Sequence, residues 1–129
     1  MAKLVNTQGI IHHLEFYVSN LQETLTFWAW LFAELGYKKY QEWEKGQSWK
    51  LGNTYIGFLE TEENYKEPAF HRKRTGLNHL AFTVSQEKLD AIKVKLVDQG
   101  IELLYEEQKI TDAIFFEDPD RIKIELAAY

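Results

Sequence analysis

The sequence predicts an α+β protein made of two tandem βαβββ modules. Together they should form one curved mixed sheet around a central cavity, with the helices outside. Three observations predict it. A strand-like stretch recurs half a chain later, an amphipathic helical stripe follows each copy, and paired strand signals around a turn follow each helix.

The first strand of each module carries the repeat. Residues 12–19 read His-His-Leu-Glu-Phe-Tyr-Val-Ser and residues 78–85 read Asn-His-Leu-Ala-Phe-Thr-Val-Ser. His13, Leu14, Phe16, Val18 and Ser19 recur as His79, Leu80, Phe82, Val84 and Ser85, an offset of 79 − 13 = 66 residues. Both stretches alternate. Leu14, Phe16 and Val18 face one way and His13, Glu15 and Tyr17 the other, and the second copy repeats the pattern. The apolar faces should meet the helices, leaving the histidine faces to line the cavity.

The helices come next. Leu21, Leu25, Trp28, Phe32 and Leu35 are spaced four, three, four and three apart, one helical stripe. Asn20 with Glu23 resembles a capping box, and Gly36 suits the helix end. In the second copy Leu89, Ile92, Leu96 and Val97 make the stripe, Ser85 is the N-cap and Gly100 closes the helix. The remaining strands are expected near Lys38–Trp43, Trp49–Leu51 and Tyr55–Glu60, then near Glu102–Tyr105, Thr111–Phe116 and Arg121–Leu126. Module one spans about 10–61 and module two about 76–128 of a single domain, 1–129. The polar stretch Thr61–Thr75 links them.

Bulk composition narrows the function. The 129 residues are 45% hydrophobic and 27% charged, an ordinary globular balance, and 15% aromatic. A net charge of −5 argues against a nucleic-acid partner, and the single basic run, His71-Arg72-Lys73-Arg74, reads as a solvated loop. No cysteine is present, so thiolate metal sites, disulfides and cysteine nucleophiles are excluded. No apolar run reaches membrane-spanning length, and Met1–Asn6 lacks an apolar signal core, so a cytoplasmic protein without a membrane partner is expected.

The candidate site follows from alternation and repeat. The second hairpin, aligned on the first by its turn-then-strand pattern, sets Phe58 opposite Glu125. Glu125 alternates with Ile124 and Leu126 and so shares a face with Lys123. His13, His79 and Glu125 can then converge on one divalent metal, a facial set of two histidines and one carboxylate that leaves open positions. His12 competes with His13 for the first position, but lies on the Leu14 face. Glu15, on the His13 face, is a candidate pocket residue that would support His13 from outside the ligand set. Phe58, Trp43 and Trp49 are candidate pocket walls, each with core packing as its bland alternative. Glu60 and Tyr17 are candidate proton-transfer or positioning groups.

Four motifs in order carry a family resemblance: His13–Ser19, Phe27–Gly36, His79–Ser85 and Asp118–Leu126. They resemble the vicinal-oxygen-chelate superfamily, which includes glyoxalases, bleomycin-resistance proteins and extradiol dioxygenases. The resemblance implies paired βαβββ modules, a divalent metal (Zn, Fe, Mn, Ni or Co) on His13, His79 and Glu125, a small substrate chelated through vicinal oxygens, and a homodimer. It implies a lyase, isomerase, transferase or dioxygenase, with non-catalytic ligand sequestration of the bleomycin-resistance kind as the alternative. Glyoxalase I is similar but adds a fourth ligand, at the position matched here by Phe58. Arg121 stands where the family usually has glycine after Asp-Pro-Asp.

Overall fold

The computed structural model describes residues 8–129, so the N-terminal Met1–Asn6 lies outside the described residues. In chain order the elements are β1 (His13–Val18), α1 (Leu21–Leu35), β2 (Lys38–Trp43), β3 (Gly46–Leu51), β4 (Thr54–Glu60), β5 (Leu80–Val84), α2 (Gln86–Asp98), β6 (Ala113–Glu117) and β7 (Lys123–Ala128). Among the described residues no helix is long and apolar enough to cross a membrane.

The strands form two mixed sheets, one of four strands ordered β1-β4-β3-β2 and one of three ordered β5-β7-β6. The single continuous sheet expected over both modules is therefore two sheets within one chain. In each, the first strand of the module runs parallel to the last and stands at the sheet edge, with one side unpaired among the described residues. The strand expected near Glu102–Tyr105 is reduced to one bridge, Leu104 to Phe115. The chain cannot continue extended there, because Tyr105 takes a left-handed φ of 60° and leads into a short helical turn, Glu106–Gln108.

The alternation read from the sequence holds. Leu14, Phe16 and Val18 turn inward while His13, Glu15 and Tyr17 are exposed. Phe82, Val84, Ile124 and Leu126 do the same in the second sheet. The inward faces and both helices share one core, centred on Trp28, Leu31, Phe32, Phe58, Ile92 and Phe116, all fully buried. Burial of this apolar surface is the main stabilising term. Helix α1 is capped as its sequence predicts: Asn20 accepts from the Glu23 N–H, and Gly36 takes a left-handed φ of 92°. Ser85 caps α2 by accepting from the Lys88 N–H, but Val97, expected on the buried stripe, is exposed.

The turn between β6 and β7 joins the modules. Trp28 of α1 donates its indole N–H to Asp118 at 2.9 Å. Ser19, at the end of β1, donates both its backbone N–H and its hydroxyl to Asp120. The helices therefore cover the Leu-Phe-Val faces of both sheets, and the two histidine-bearing faces are left free.

Candidate functional site

On the second sheet, the free face gathers His79, Lys123, Glu125, Phe115 and Tyr105. His79 immediately precedes β5, and Glu125 stands on β7 beside Ala81. The His79 Nε2 lies 3.0 Å from Glu125 Oε1. On the other side of the ring, His79 Nδ1 lies 2.7 Å from the Asn78 side-chain oxygen. Asn78 thus holds one ring nitrogen while Nε2 is the atom turned to the carboxylate. The Phe115 ring, cross-strand partner of Glu125, lies 6.2 Å from the His79 ring.

The first sheet presents a separate cluster. His13 stacks on Tyr55 at 4.5 Å with an interplanar angle of 6°. Its Nδ1 lies 2.9 Å from His12 Nδ1, and its Nε2 lies 3.8 Å from Glu15. The structure thus unites two of the three expected ligands, His79 and Glu125, and leaves His13 elsewhere in the same chain. Among the described residues no group of three metal-ligating side chains assembles. His79 and Glu125 fit the donor chemistry of a divalent ion, but one chain alone supplies only this pair.

Several sequence expectations are corrected by the strand register. Phe16 pairs with Phe58 and Glu15 with Gly57. The equivalent pair in module two is Ala81 with Glu125. Since 81 − 15 = 66 and 125 − 57 = 68, the counterpart of Glu125 is Gly57, not Phe58. Phe58 instead lies in the core, with its ring 5.2 Å from Trp28. Gly57 has no donor either, so the fourth glyoxalase-type ligand is absent at the true position. Glu60 shares the Phe58 side, and its carboxylate accepts from the Leu21 N–H at 2.9 Å. It caps α1 and does not reach the histidine face. Trp49 packs against Phe32 on the core side, with ring centroids 5.8 Å apart. Trp43 does belong to the free face, through the register Trp43–Gly46–Leu59.

Tyr17, on the His13 face of β1, reaches a cavity of about 540 Å3 at the far end of that strand. Tyr65, Phe70, Glu62, Lys66 and Asp120 also line it. Sequence reasoning missed Asn78, Phe115 and Tyr105. Asn78 was visible as the repeat partner of His12. Tyr105 left no periodic signal, because it sits in a left-handed turn.

Two modules, each with a histidine at the start of its first strand on the face turned from the helices, are the arrangement this fold presents. The chain belongs to the Glyoxalase/Bleomycin resistance protein/Dioxygenase superfamily, whose pattern it matches over residues 12–116. It is 44% identical over 125 residues to the uncharacterised protein YqjT of Bacillus subtilis (strain 168), covering 92% of this chain and 98% of that one. It is 33% identical to the metallothiol transferase FosB of Bacillus licheniformis, covering 90% of this chain and 73% of the relative. The crystal structure of a candidate glyoxalase from Bacillus halodurans is 48% identical, with a TM-score of 0.90 over 95% of this chain and 97% of that chain.

Proposed function

We propose that this chain is a cytoplasmic, metal-dependent enzyme acting on a small substrate through vicinal oxygens, and that two copies build its site together. His79 and Glu125 come from one copy and His13 from the other. The observation that carries this reading is the His79–Glu125 contact. His79 Nε2 stands 3.0 Å from Glu125 Oε1, and Asn78 orients the ring from behind at Nδ1. An imidazole nitrogen and a carboxylate oxygen brought together by neighbouring strands are two donors of the kind a divalent cation takes.

The topology supports the second copy. His13 opens β1 and His79 immediately precedes β5; among the described residues each of these strands has one unpaired edge, and such edges invite pairing with another chain. A two-fold dimer that lays β1 of one copy against β5 of the other brings the two half-sites together twice. The donor set suits Zn, Fe, Mn, Ni or Co, any of which supplies a Lewis acid for the substrate's oxygens. The protein's own groups orient and shield. Asn78 holds the His79 ring, Tyr55 stacks on His13, and Phe115 borders the His79 ring. Tyr17 and Trp43 line the face, and Glu15 stands beside His13. The resemblance to a metallothiol transferase makes group transfer the first reaction to screen.

Complementation between variants tests the shared site. His13→Ala and His79→Ala, purified alone, should each lose the bound metal. Mixed and allowed to exchange subunits, they rebuild one intact site in every mixed dimer, restoring about one quarter of the wild-type metal content. Full loss in both singles with no recovery on mixing would overturn the shared site.

The aromatic cavity at Tyr17, Tyr65 and Phe70 favours a second reading, sequestration of a ligand without catalysis. Metal content in freshly purified protein separates the two, since sequestration has no use for the histidine–carboxylate set.

A further inference from the structure

Each of the two candidate ligand histidines is preceded by a side chain that reaches the same atom of its ring. Asn78 brings its side-chain oxygen to 2.7 Å from His79 Nδ1. His12 is the repeat partner of Asn78, since 78 − 12 = 66, and brings its own Nδ1 to 2.9 Å from His13 Nδ1. Strand alternation puts His12 on the Leu14 face. The residue lies just before β1 begins, however, and its ring meets that of His13 edge-on, with centroids 5.1 Å apart at 77°.

Tyr55 completes the group. It is the register partner of His13 on β4 and stacks on the His13 ring at 4.5 Å. The same phenol ring meets His12 at 5.7 Å and 78°, so each of the three rings packs against the other two. The Tyr55 N–H also donates to the His12 carbonyl at 3.3 Å. Tyr55 thus sets the plane of the His13 ring, and His12 meets one of its edges. Two neutral imidazole nitrogens 2.9 Å apart share one hydrogen, with one donating and the other accepting. A hydrogen on His13 Nδ1 leaves Nε2 with a lone pair for a metal. A hydrogen on His12 instead leaves His13 with Nε2–H, which cannot ligate. Glu15, 3.8 Å from His13 Nε2, is beyond hydrogen-bond reach and does not hold a hydrogen there.

We propose that His12 is a positioning residue for His13: it accepts the hydrogen of His13 Nδ1 and so keeps Nε2 bare for the ion. His12 is then not a rival ligand. Both modules hold their histidine from the residue before it and at the same ring atom, module one with an imidazole and module two with an amide. A partner of this kind sets both the orientation of a ligating imidazole and the place of its hydrogen. The inference rests on the reading of His13 as a ligand, but the place of the hydrogen is a property of the metal-free chain.

Two measurements on the full chain test it. Nitrogen-15 spectra of the metal-free protein, in alkaline buffer where the imidazoles are neutral, show which nitrogen of each ring carries the hydrogen. Wild-type His13 should carry it on Nδ1, and a hydrogen on Nε2 would overturn the proposal. Titration with Mn(II) reads the consequence, because Mn(II) has the weakest affinity of the divalent series for isolated histidines and so reports the assembled site. His12→Phe keeps a ring against Tyr55 and removes the acceptor. It should weaken Mn(II) binding by about tenfold or more and move the His13 hydrogen toward Nε2. His12→Asn drops the ring and keeps an acceptor, as at Asn78, and should bind Mn(II) within about threefold of wild type. Wild-type affinity in His12→Phe would overturn the proposal, as would equal loss in both variants, since ring packing would then be the whole role of His12. Melting temperatures should match wild type, because His12 is exposed. A variant that fails to fold leaves the wild-type hydrogen placement to decide. A wild-type chain that takes up no Mn(II) defeats the metal reading, while the nitrogen-15 spectra still decide the role of His12.

Discussion

Asp118 collects three N–H donors at the joint between the modules. Its Oδ1 accepts from Asp120 and Ile122, and its Oδ2 from the Trp28 indole. Burial nevertheless dominates and raises its carboxyl from 3.8 to about 6. A carboxyl raised on folding contributes stability that is complete below the unfolded value and is lost as pH climbs through the folded one. Stability should therefore fall between about pH 4 and pH 6, by at most roughly 3 kcal/mol from this group. Urea unfolding of wild type and Asp118→Asn across that range checks it: the gap should widen in favour of wild type as the pH drops, and a constant gap would remove the assignment. Arg121 is a second residue-scale case. It adopts φ 66°, the left-handed region that glycine tolerates. Arg121→Gly should raise stability by about 0.5 kcal/mol, relief of the αL strain less the added freedom of the unfolded glycine, read as a small rise in melting temperature. Both residues lie in a motif the sequence displays plainly. The three donors around Asp118, by contrast, come from a helix 90 residues away and from a local turn, and no periodicity announces them.

At the scale of elements, the repeated strand was the most legible feature. The motif shared by His13–Ser19 and His79–Ser85 placed both histidines on the correct face, because a side-chain period of two leaves only two choices. The same rule explains the largest error. The turn between β3 and β4 is Gly52-Asn53, whereas five residues, Asp118 to Ile122, connect β6 to β7. Aligning unequal turns slips the register by one, and a one-residue slip moves a side chain to the opposite face. That slip carried Phe58 and Glu60 into the expected pocket when both belong to the helix side. Glu60 acts on an element, holding the first turn of α1 through the Leu21 N–H. Glu60→Gln keeps an acceptor there and should leave stability within about 0.5 kcal/mol, while Glu60→Ala should cost about 1 kcal/mol. Thermal unfolding of the pair measures this, and neither variant should lose metal. The absent strand near Glu102–Tyr105 has an equally local cause, the left-handed backbone at Tyr105 and Lys109.

For the whole molecule, sequence reached the fold class, and of the three ligands it expected the structure brings His79 and Glu125 together. It could not reach how the modules face each other, because both arrangements bury the same Leu-Phe-Val surfaces. The deciding contacts, Trp28 to Asp118 and Ser19 to Asp120, join residues about a hundred positions apart and depend on side-chain reach rather than pattern. They tie α1 and the end of β1 to the turn between β6 and β7. Each strand that opens on a histidine is left bare along one side. If those bare sides find each other only by encounter between molecules, occupancy of the ion obeys mass action in the protein itself. Under the proposed shared site, diluting the protein would then release cation in proportion to the fraction dissociated, so that abundance alone would set how much of it is loaded.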